Sequence, residues 1–351
     1  DFAPVVRPMG QPAHPPLRNA RVIMAEAPQH LLLTGGTGFF GRALLRRWIE
    51  GGDAMLVPAR VTVVSRSPDR FRQAHPDLCA MPGLELVAGD ICDPASLPRG
   101  RAFTHVIHAA ADSTLGPQLS PLQRFDQILE GTRNVLELAV QCGARRLLFT
   151  SSGAVYGAPP PGLVKIPESW RGMPDPLDPA NAYGVAKRAA EHLCVLHARP
   201  GGLQVVIARC FAFVGPDLPL DVHFAIGNFI RDALWSERIV VGGDGSPLRS
   251  YLYQSDLAYW LMELLMRGEG SQAYNVGSDE AISVLELAHL VRDTLAPCKP
   301  VEILGAASQG LYQRNTYIPD ITKAQEALAV RVSVPLRDAI IAAAQGIKGA
   351  D

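Results

Sequence analysis

From Leu31 to Arg209, short apolar runs alternate with longer stretches in which apolar residues recur every three or four positions. The runs predict strands at Leu31–Thr34, Val61–Ser65, Leu84–Ala88, His105–His108, Arg146–Thr150 and Gln204–Arg209, and the longer stretches predict helices near Arg42–Glu50, Leu122–Cys142 and Ala182–Ala198. Such alternation argues for an α/β fold, a doubly wound parallel sheet covered by helices on both faces. After Arg209 the rhythm breaks. Pro216, Pro219, a helix near Phe224–Leu234 and a glycine-rich turn at Gly242–Gly245 introduce mixed elements that run to the end of the chain. These read as a smaller, interleaved C-terminal α/β lobe over the carboxyl ends of the strands, where open α/β sheets bind ligands. Residues 1–29, rich in proline and without a continuous apolar core, read as a mobile extension, with Met24 as a candidate start just ahead of the first strand. The expected division is therefore residues 1–29, 30–213 and 214–348, with no internal repeat.

Composition narrows the function classes. At 351 residues and 48% hydrophobic, the chain can bury a large core. A net charge of −1 with interspersed signs gives no basic patch, so neither nucleic acid nor an anionic membrane is the expected partner. Six scattered cysteines without a C-x-x-C pair read as free thiols in a reducing compartment, and no metal site is expected. No apolar run reaches the roughly 20 residues of a membrane span, which makes the cytoplasm the default location.

The chemistry begins at the turn after the first strand. Gly36, Gly38 and Gly41 satisfy G-x-G-x-x-G, and Gly35, Gly38 and Gly41 satisfy the related G-x-x-G-x-x-G spacing. Glycines there permit a tight turn, close backbone approach to a pyrophosphate and close packing of helix on strand, with the helix N-terminus facing the negative charge. A NAD site places an acidic residue at the end of the second strand; here that strand ends in Ser65-Arg66-Ser67. A guanidinium flanked by hydroxyls suits a 2′-phosphate, which favours NADP(H) over NAD(H). Asp90, after the third strand, is placed to touch the adenine or to cap its own loop. Ser152 closes Thr150-Ser151-Ser152, and Tyr183 and Lys187 share one helix face four residues apart. An ammonium together with an oxidised nicotinamide would lower the tyrosine pKa from about 10, so that Tyr183 exchanges a proton with a hydroxyl that Ser152 positions.

Taken together, these residues resemble an extended short-chain dehydrogenase/reductase of the Rossmann type, in particular the NAD-dependent epimerase/dehydratase family that acts on nucleotide sugars. The resemblance runs from about Leu31 to Leu336. It rests on Thr34–Gly41, Gly89-Asp90, His108-Ala109-Ala110, Gly131–Val135, Ser151-Ser152, Val155-Tyr156-Gly157, and Tyr183 with Lys187. Beyond these it continues through Arg209–Phe211, Val214–Pro216, Gly243–Gly245, Arg249–Tyr251, Asp256 and Tyr274–Gly277. It implies further cofactor contacts from Phe39, Phe40, Ile91, Ala109 and Ala110. It also implies that Arg249, Asn228 and Arg314 contact the nucleotide-sugar diphosphate, and that two long helices pair the chain into a homodimer.

Three departures bear on the reaction. Family dehydratases carry Asp-Glu where this chain has Gly153-Ala154, which disfavours a 4,6-dehydratase and a decarboxylase that relies on a glutamate there. Ala212 and Ile128 stand where relatives often carry asparagine. The expectation is hydride transfer at a hexose carbon, C4 foremost, by an epimerase or a 4-ketoreductase. A non-catalytic dinucleotide-binding protein is the alternative of another class, and it is opposed by the presence of both Tyr183 and Lys187.

Overall fold

Leu31–Thr34 forms the buried central strand, β1, of a seven-stranded sheet in a computed structural model that describes residues 29–51, 56–110, 119–199, 201–220, 224–305 and 316–348. The other strands are β2 (Val61–Ser65), β3 (Leu84–Ala88), β4 (His105–His108), β5 (Arg146–Ser152), β6 (Gln204–Cys210) and a seventh at Ala273–Val276. From one edge the order is the seventh strand, β6, β5, β4, β1, β2 and β3, and every pairing is parallel. Thr34 pairs with Val64 on one side and His108 on the other. The strand order reverses at β1 and β4, so their carboxyl ends splay apart and open a crevice there.

Two-sided burial explains the continuous apolar runs. Leu31 and Leu33 join one core cluster with Ala43, Leu44, Leu257 and Trp260, whereas Leu32 joins the opposite one with Val135, Leu136, Ala186 and Ala190. That is the period of two expected of a strand covered on both faces. The first cluster packs helices α1 (Phe39–Glu50), α2 (Pro68–Ala74) and α3 (Pro76–Cys79); the second packs α4 (Pro121–Gln141) and α5 (Ala182–His197). Helix α1 begins directly behind Gly38, three residues earlier than the sequence pattern suggests, because Phe39 and Phe40 pack against the sheet core while still in the first turn. Helix α4 starts at a capping box in which Ser120 and Gln123 each accept the other's backbone N–H.

Beyond β6 the chain shares itself between lobe and sheet. Helices α6 (Ala225–Trp235) and α8 (Val284–Leu295) form a third apolar cluster with the pair of strands Ile239–Val241 and Val301–Ile303. Helix α7 (Gln254–Arg267) and the strand after it return to the main sheet, an edge that the break in rhythm concealed. A small sheet pairs Leu248–Arg249 with Ile282–Ser283 and, in parallel, with Thr316–Tyr317. Its register sets Tyr317 beside Arg249 at the rim of the crevice.

Candidate active site

The crevice holds about 1160 Å³ and runs from the glycine turn past the ends of β4 and β5 to the lobe. Its glycines serve different masters. Gly35 has φ +76°, and a Cβ there would lie 2.5 Å from the Ala109 carbonyl carbon. At Gly41 a Cβ would meet Gly36 Cα at 2.2 Å, which shows how closely α1 packs on the turn. Gly38 differs: its nearest neighbour would be the Gly35 carbonyl at an ordinary 3.4 Å. The protein's own packing therefore leaves room for a Cβ at Gly38, and what it would enter is the crevice in front of the α1 N-terminus. That is the fit required of a phosphate cradle.

Ser65, Arg66 and Ser67 line the far end, where the Ser67 N–H donates to Ser65 Oγ at 3.2 Å. Arg70 joins them from α2. Among the described residues that form this end, the strand terminus carries no carboxylate. Asp90 lines the crevice and also caps its own loop, its Oδ1 accepting the Cys92 N–H at 2.9 Å. Asn134 of α4 donates to the Ile91 carbonyl at 2.8 Å, while the Ile91 side chain fills the space above Gly131, so this loop is pinned to α4. Ala109 and Ala110 continue the wall after β4.

Where β5 ends, three expected residues come together. Ser152 Oγ accepts the Ala154 N–H at 3.2 Å and is hydrogen-bonded to the Tyr183 hydroxyl. Tyr183 sits in the first turn of α5, and Lys187 follows one turn later with 2% exposure. The sequence places the ammonium near the tyrosine hydroxyl; in the structure Lys187 Nζ donates to the Thr150 carbonyl at 2.8 Å and lies 4.7 Å above the Phe149 ring. Burial pushes Lys187 down to about 8, opposed by Cys210, Cys194 and Glu191. Tyr183 is held above its ordinary value, not below it, because desolvation outweighs the Ser152 hydrogen bond. The expected lowering includes the positive charge of an oxidised nicotinamide, and burial prevails where that charge does not act.

Tyr317 went unnoticed in the sequence. Its hydroxyl lies 3.5 Å from Ser152 Oγ, its ring stacks on Phe211 at 4.7 Å, and the Arg249 guanidinium sits 5.9 Å above it. A Cβ at Gly153 would come within 2.7 Å of that hydroxyl and 2.9 Å of the Phe211 ring. Gly153 thus makes room for a phenol delivered by the small sheet. Only that unexpected glycine hinted at a neighbour.

On the lobe side Arg249 lines the crevice, its Nη1 donating to the Leu248 carbonyl at 2.8 Å. Asn228 does not join it. Its Oδ1 accepts from Arg231 Nη1 at 3.3 Å, and the wall contributed by this segment is formed by Phe224, Ala225 and Ile226. Arg314 lies outside the described residues. Ala212 lines the crevice, while Ile128 is buried in the α4 core, so these two departures fall on different layers.

Several of the recurrent residues work behind the site. Arg209 pairs with Glu191 at 2.7 Å and donates to the Tyr156 hydroxyl, which in turn donates to Asn275 Oδ1 at 2.8 Å. Ser151 donates to Glu191 at 2.6 Å. This network ties β5, α5, β6 and the seventh strand together directly beneath Ser152. Among the described residues, no cluster of His, Cys, Asp or Glu could hold a metal ion, and no helix is long and apolar enough to cross a membrane.

The model of the NAD dependent epimerase/dehydratase family matches residues 31–277. UDP-glucuronic acid decarboxylase 5 of Arabidopsis thaliana is 30% identical over 333 residues, covering 95% of this chain and 93% of that protein. Among solved structures, the dTDP-glucose 4,6-dehydratase DesIV of Streptomyces venezuelae, with NAD bound, gives a TM-score of 0.76 at 26% identity over 91% of this chain and 97% of its own. MoeE5 in complex with UDP-glucuronic acid and NAD gives 0.72 at 27% identity over 91% and 99%.

Proposed function

The chain belongs to the NAD-dependent epimerase/dehydratase family, and from that premise we propose that it moves a hydride at C4 of a hexose carried on a nucleoside diphosphate. The bound dinucleotide supplies the hydride acceptor and donor. Gly35, Gly38, Phe39, Phe40 and Gly41 would hold its pyrophosphate, Ser65, Arg66, Ser67 and Asp90 its adenosine, and Ile91, Ala109, Ala110, Tyr183 and Lys187 the remainder. Ser152 holds the C4 oxygen, and Tyr183 takes the hydroxyl proton as the C4 hydride leaves, which gives a ketone. The ketone then turns, and return of the hydride to its other face, with the proton going back to the C4 oxygen, gives the C4 epimer. Arg249 neutralises the diphosphate from the lobe. The observation that carries this reading is the meeting of Ser152, Tyr183 and Lys187 in the crevice that begins at Gly38.

Decarboxylation is the second reading, and the relatives named as UDP-glucuronic acid decarboxylases support it. In a hexuronate, the C4 ketone stands β to the C6 carboxylate. The C5–C6 bond can then break with its electron pair passing into the C4 carbonyl and CO₂ leaving. This needs a donor at the C4 oxygen, which Ser152 and Tyr183 provide; a proton from water at C5, then return of the hydride to C4 and of the proton to its oxygen, complete the pentose. Incubation with UDP-glucuronate separates the two: a UDP-pentose with CO₂ marks decarboxylation, UDP-galacturonate marks epimerisation, and neither product removes the hexuronate from consideration. A panel of UDP-, dTDP-, GDP- and CDP-sugars and their 4-keto forms then tests the C4 reading, and stoichiometric oxidation of NADPH on a 4-keto sugar would mark a ketoreductase.

Ser65, Arg66, Ser67 and Arg70 support a preference for NADP(H), which the affinities for NADP⁺ and NAD⁺ test directly. Exposed Leu122 and Val140 on α4, with Val195 and Leu196 on α5, support a homodimer through these helices. Its solution mass tests that pairing.

A further inference from the structure

The positive charge expected beside Tyr183 from Lys187 has a second source that the sequence did not suggest. Arg124, in the first turn of α4, lines the crevice and sets its guanidinium 5.5 Å from the centroid of the Tyr183 ring. Lys187, one turn from Tyr183 on α5, is committed to Thr150 and to the Phe149 face. We propose that Arg124 is a positioning residue for Tyr183, pressing its charge on the phenol ring and so favouring the ionised hydroxyl. This rests on the reading of Tyr183 as the group that accepts the substrate proton.

The physical argument has two parts. A guanidinium over an aromatic face is attracted by the ring quadrupole, by about 0.5–1 kcal/mol at an exposed site and more when desolvated, which fixes the ring against α4. When the hydroxyl ionises, that attraction becomes one between full charges, and it then acts on the protonation equilibrium. The groups facing Tyr183 from each packed element are few. Ser152 of β5 and Tyr317 of the small sheet are neutral donors, and the Cys210 thiol of β6 is pushed up to about 12 by burial and stays neutral. Among the described residues, the remaining charges are Arg124 of α4 and Lys187 of α5. Lys187 lies one turn along the same helix as Tyr183, and Arg124, facing the ring from α4, acts to lower Tyr183 as well. No salt bridge ties Arg124 to a carboxylate among the described residues, and the nearby acids Asp126 and Glu130 of α4 face solvent.

The test titrates tyrosinate absorbance in the NAD-loaded protein and subtracts the same titration of Tyr183→Phe, which isolates the Tyr183 transition without a substrate. Arg124→Gln and Arg124→Met are expected to move that transition up by about one pH unit, the size of effect expected of a full charge at such a distance in a half-buried site. Arg124→Lys, which keeps the cation, is expected to hold it near the wild-type position. All three variants are expected to bind NAD with unchanged affinity, which a merely structural role would not preserve. A transition unmoved in both the Gln and Met variants overturns the role of Arg124 and leaves Tyr183 as the base. A subtraction that shows no Tyr183 ionisation below that of free tyrosine overturns the reading of Tyr183 itself, and with it this proposal.

Discussion

On the sheet side of the crevice the working residues are neighbours in sequence: Gly35, Gly38 and Gly41 share one turn, and Tyr183 and Lys187 share one face of α5. On the lobe side they are strangers. Arg249 and Tyr317 meet because two short strands pair in register, and Tyr317 reaches Ser152 across 165 residues. A local constellation is fixed by helix and turn geometry, whereas a nonlocal one depends on packing that no short window records. The sheet side is therefore set by short windows of sequence, and the lobe side by how distant segments pack.

The strongest test of this division is Tyr183→Phe, which removes only a hydroxyl. If the sheet side performs the proton transfer, turnover falls by about 10²–10⁴-fold, and dinucleotide affinity measured by fluorescence titration stays within about twofold. Retained turnover would move the chemistry to the lobe.

Two glycines then divide the sheet side further. Gly41→Ala drives a Cβ into Gly36 backbone at 2.2 Å, and the fold pays about 1–3 kcal/mol for the displacement, visible as a lowered denaturation midpoint. Gly38→Ala adds a Cβ that meets no such obstacle from the protein, so the midpoint of the unliganded chain holds while dinucleotide affinity drops at least about tenfold. Equal loss of stability in both would mean that Gly38 serves the turn and not a ligand.

His108 gives the acid side of the comparison. It is buried between Thr34 and Thr132, at 2.7 and 3.2 Å, and burial pushes its pKa down to about 3, with Lys187 adding to the effect. Between that value and the ordinary one near 6.5, the unfolded chain binds a proton that the folded chain refuses. Stability contributed by the neutral imidazole is thus present above about 6.5 and is lost as pH falls toward 3. In a urea-denaturation series over this range, wild type is expected to lose stability more steeply than His108→Gln; parallel slopes would remove His108 from the account.

Much of the sheet was legible because its strands are buried on both faces. Leu31–Leu33 had to be a continuous apolar run, and the capped and periodic helices between strands left few alternatives. The seventh strand escaped because α7, which precedes it, is apolar on nearly all sides and breaks the alternation seen earlier. Ser152, Tyr183 and Lys187 were legible by spacing, but the direction of the Lys187 ammonium was not, since Thr150 and Lys187 lie on different elements. Asn228 misled for the converse reason: a local pattern identified the residue, while the face it presents is decided by how α6 packs in the lobe.

The finest test lies at the seam between the two regions. Tyr317→Phe keeps the ring on Phe211 and deletes one hydroxyl near Ser152, so the fold holds and kcat/KM falls by about threefold to tenfold, the worth of a single hydrogen bond. Gly153→Ala strikes that same hydroxyl and costs more, because the Phe211 ring blocks the other way out. If the glycine exists to admit the phenol, the two changes are not additive: removing the hydroxyl first relieves part of the clash, and the double variant retains more stability than the sum of the singles allows. Additive effects would mean that Gly153 answers to Phe211 alone. The cycle thereby asks whether a residue on the sheet side was chosen by one on the lobe side.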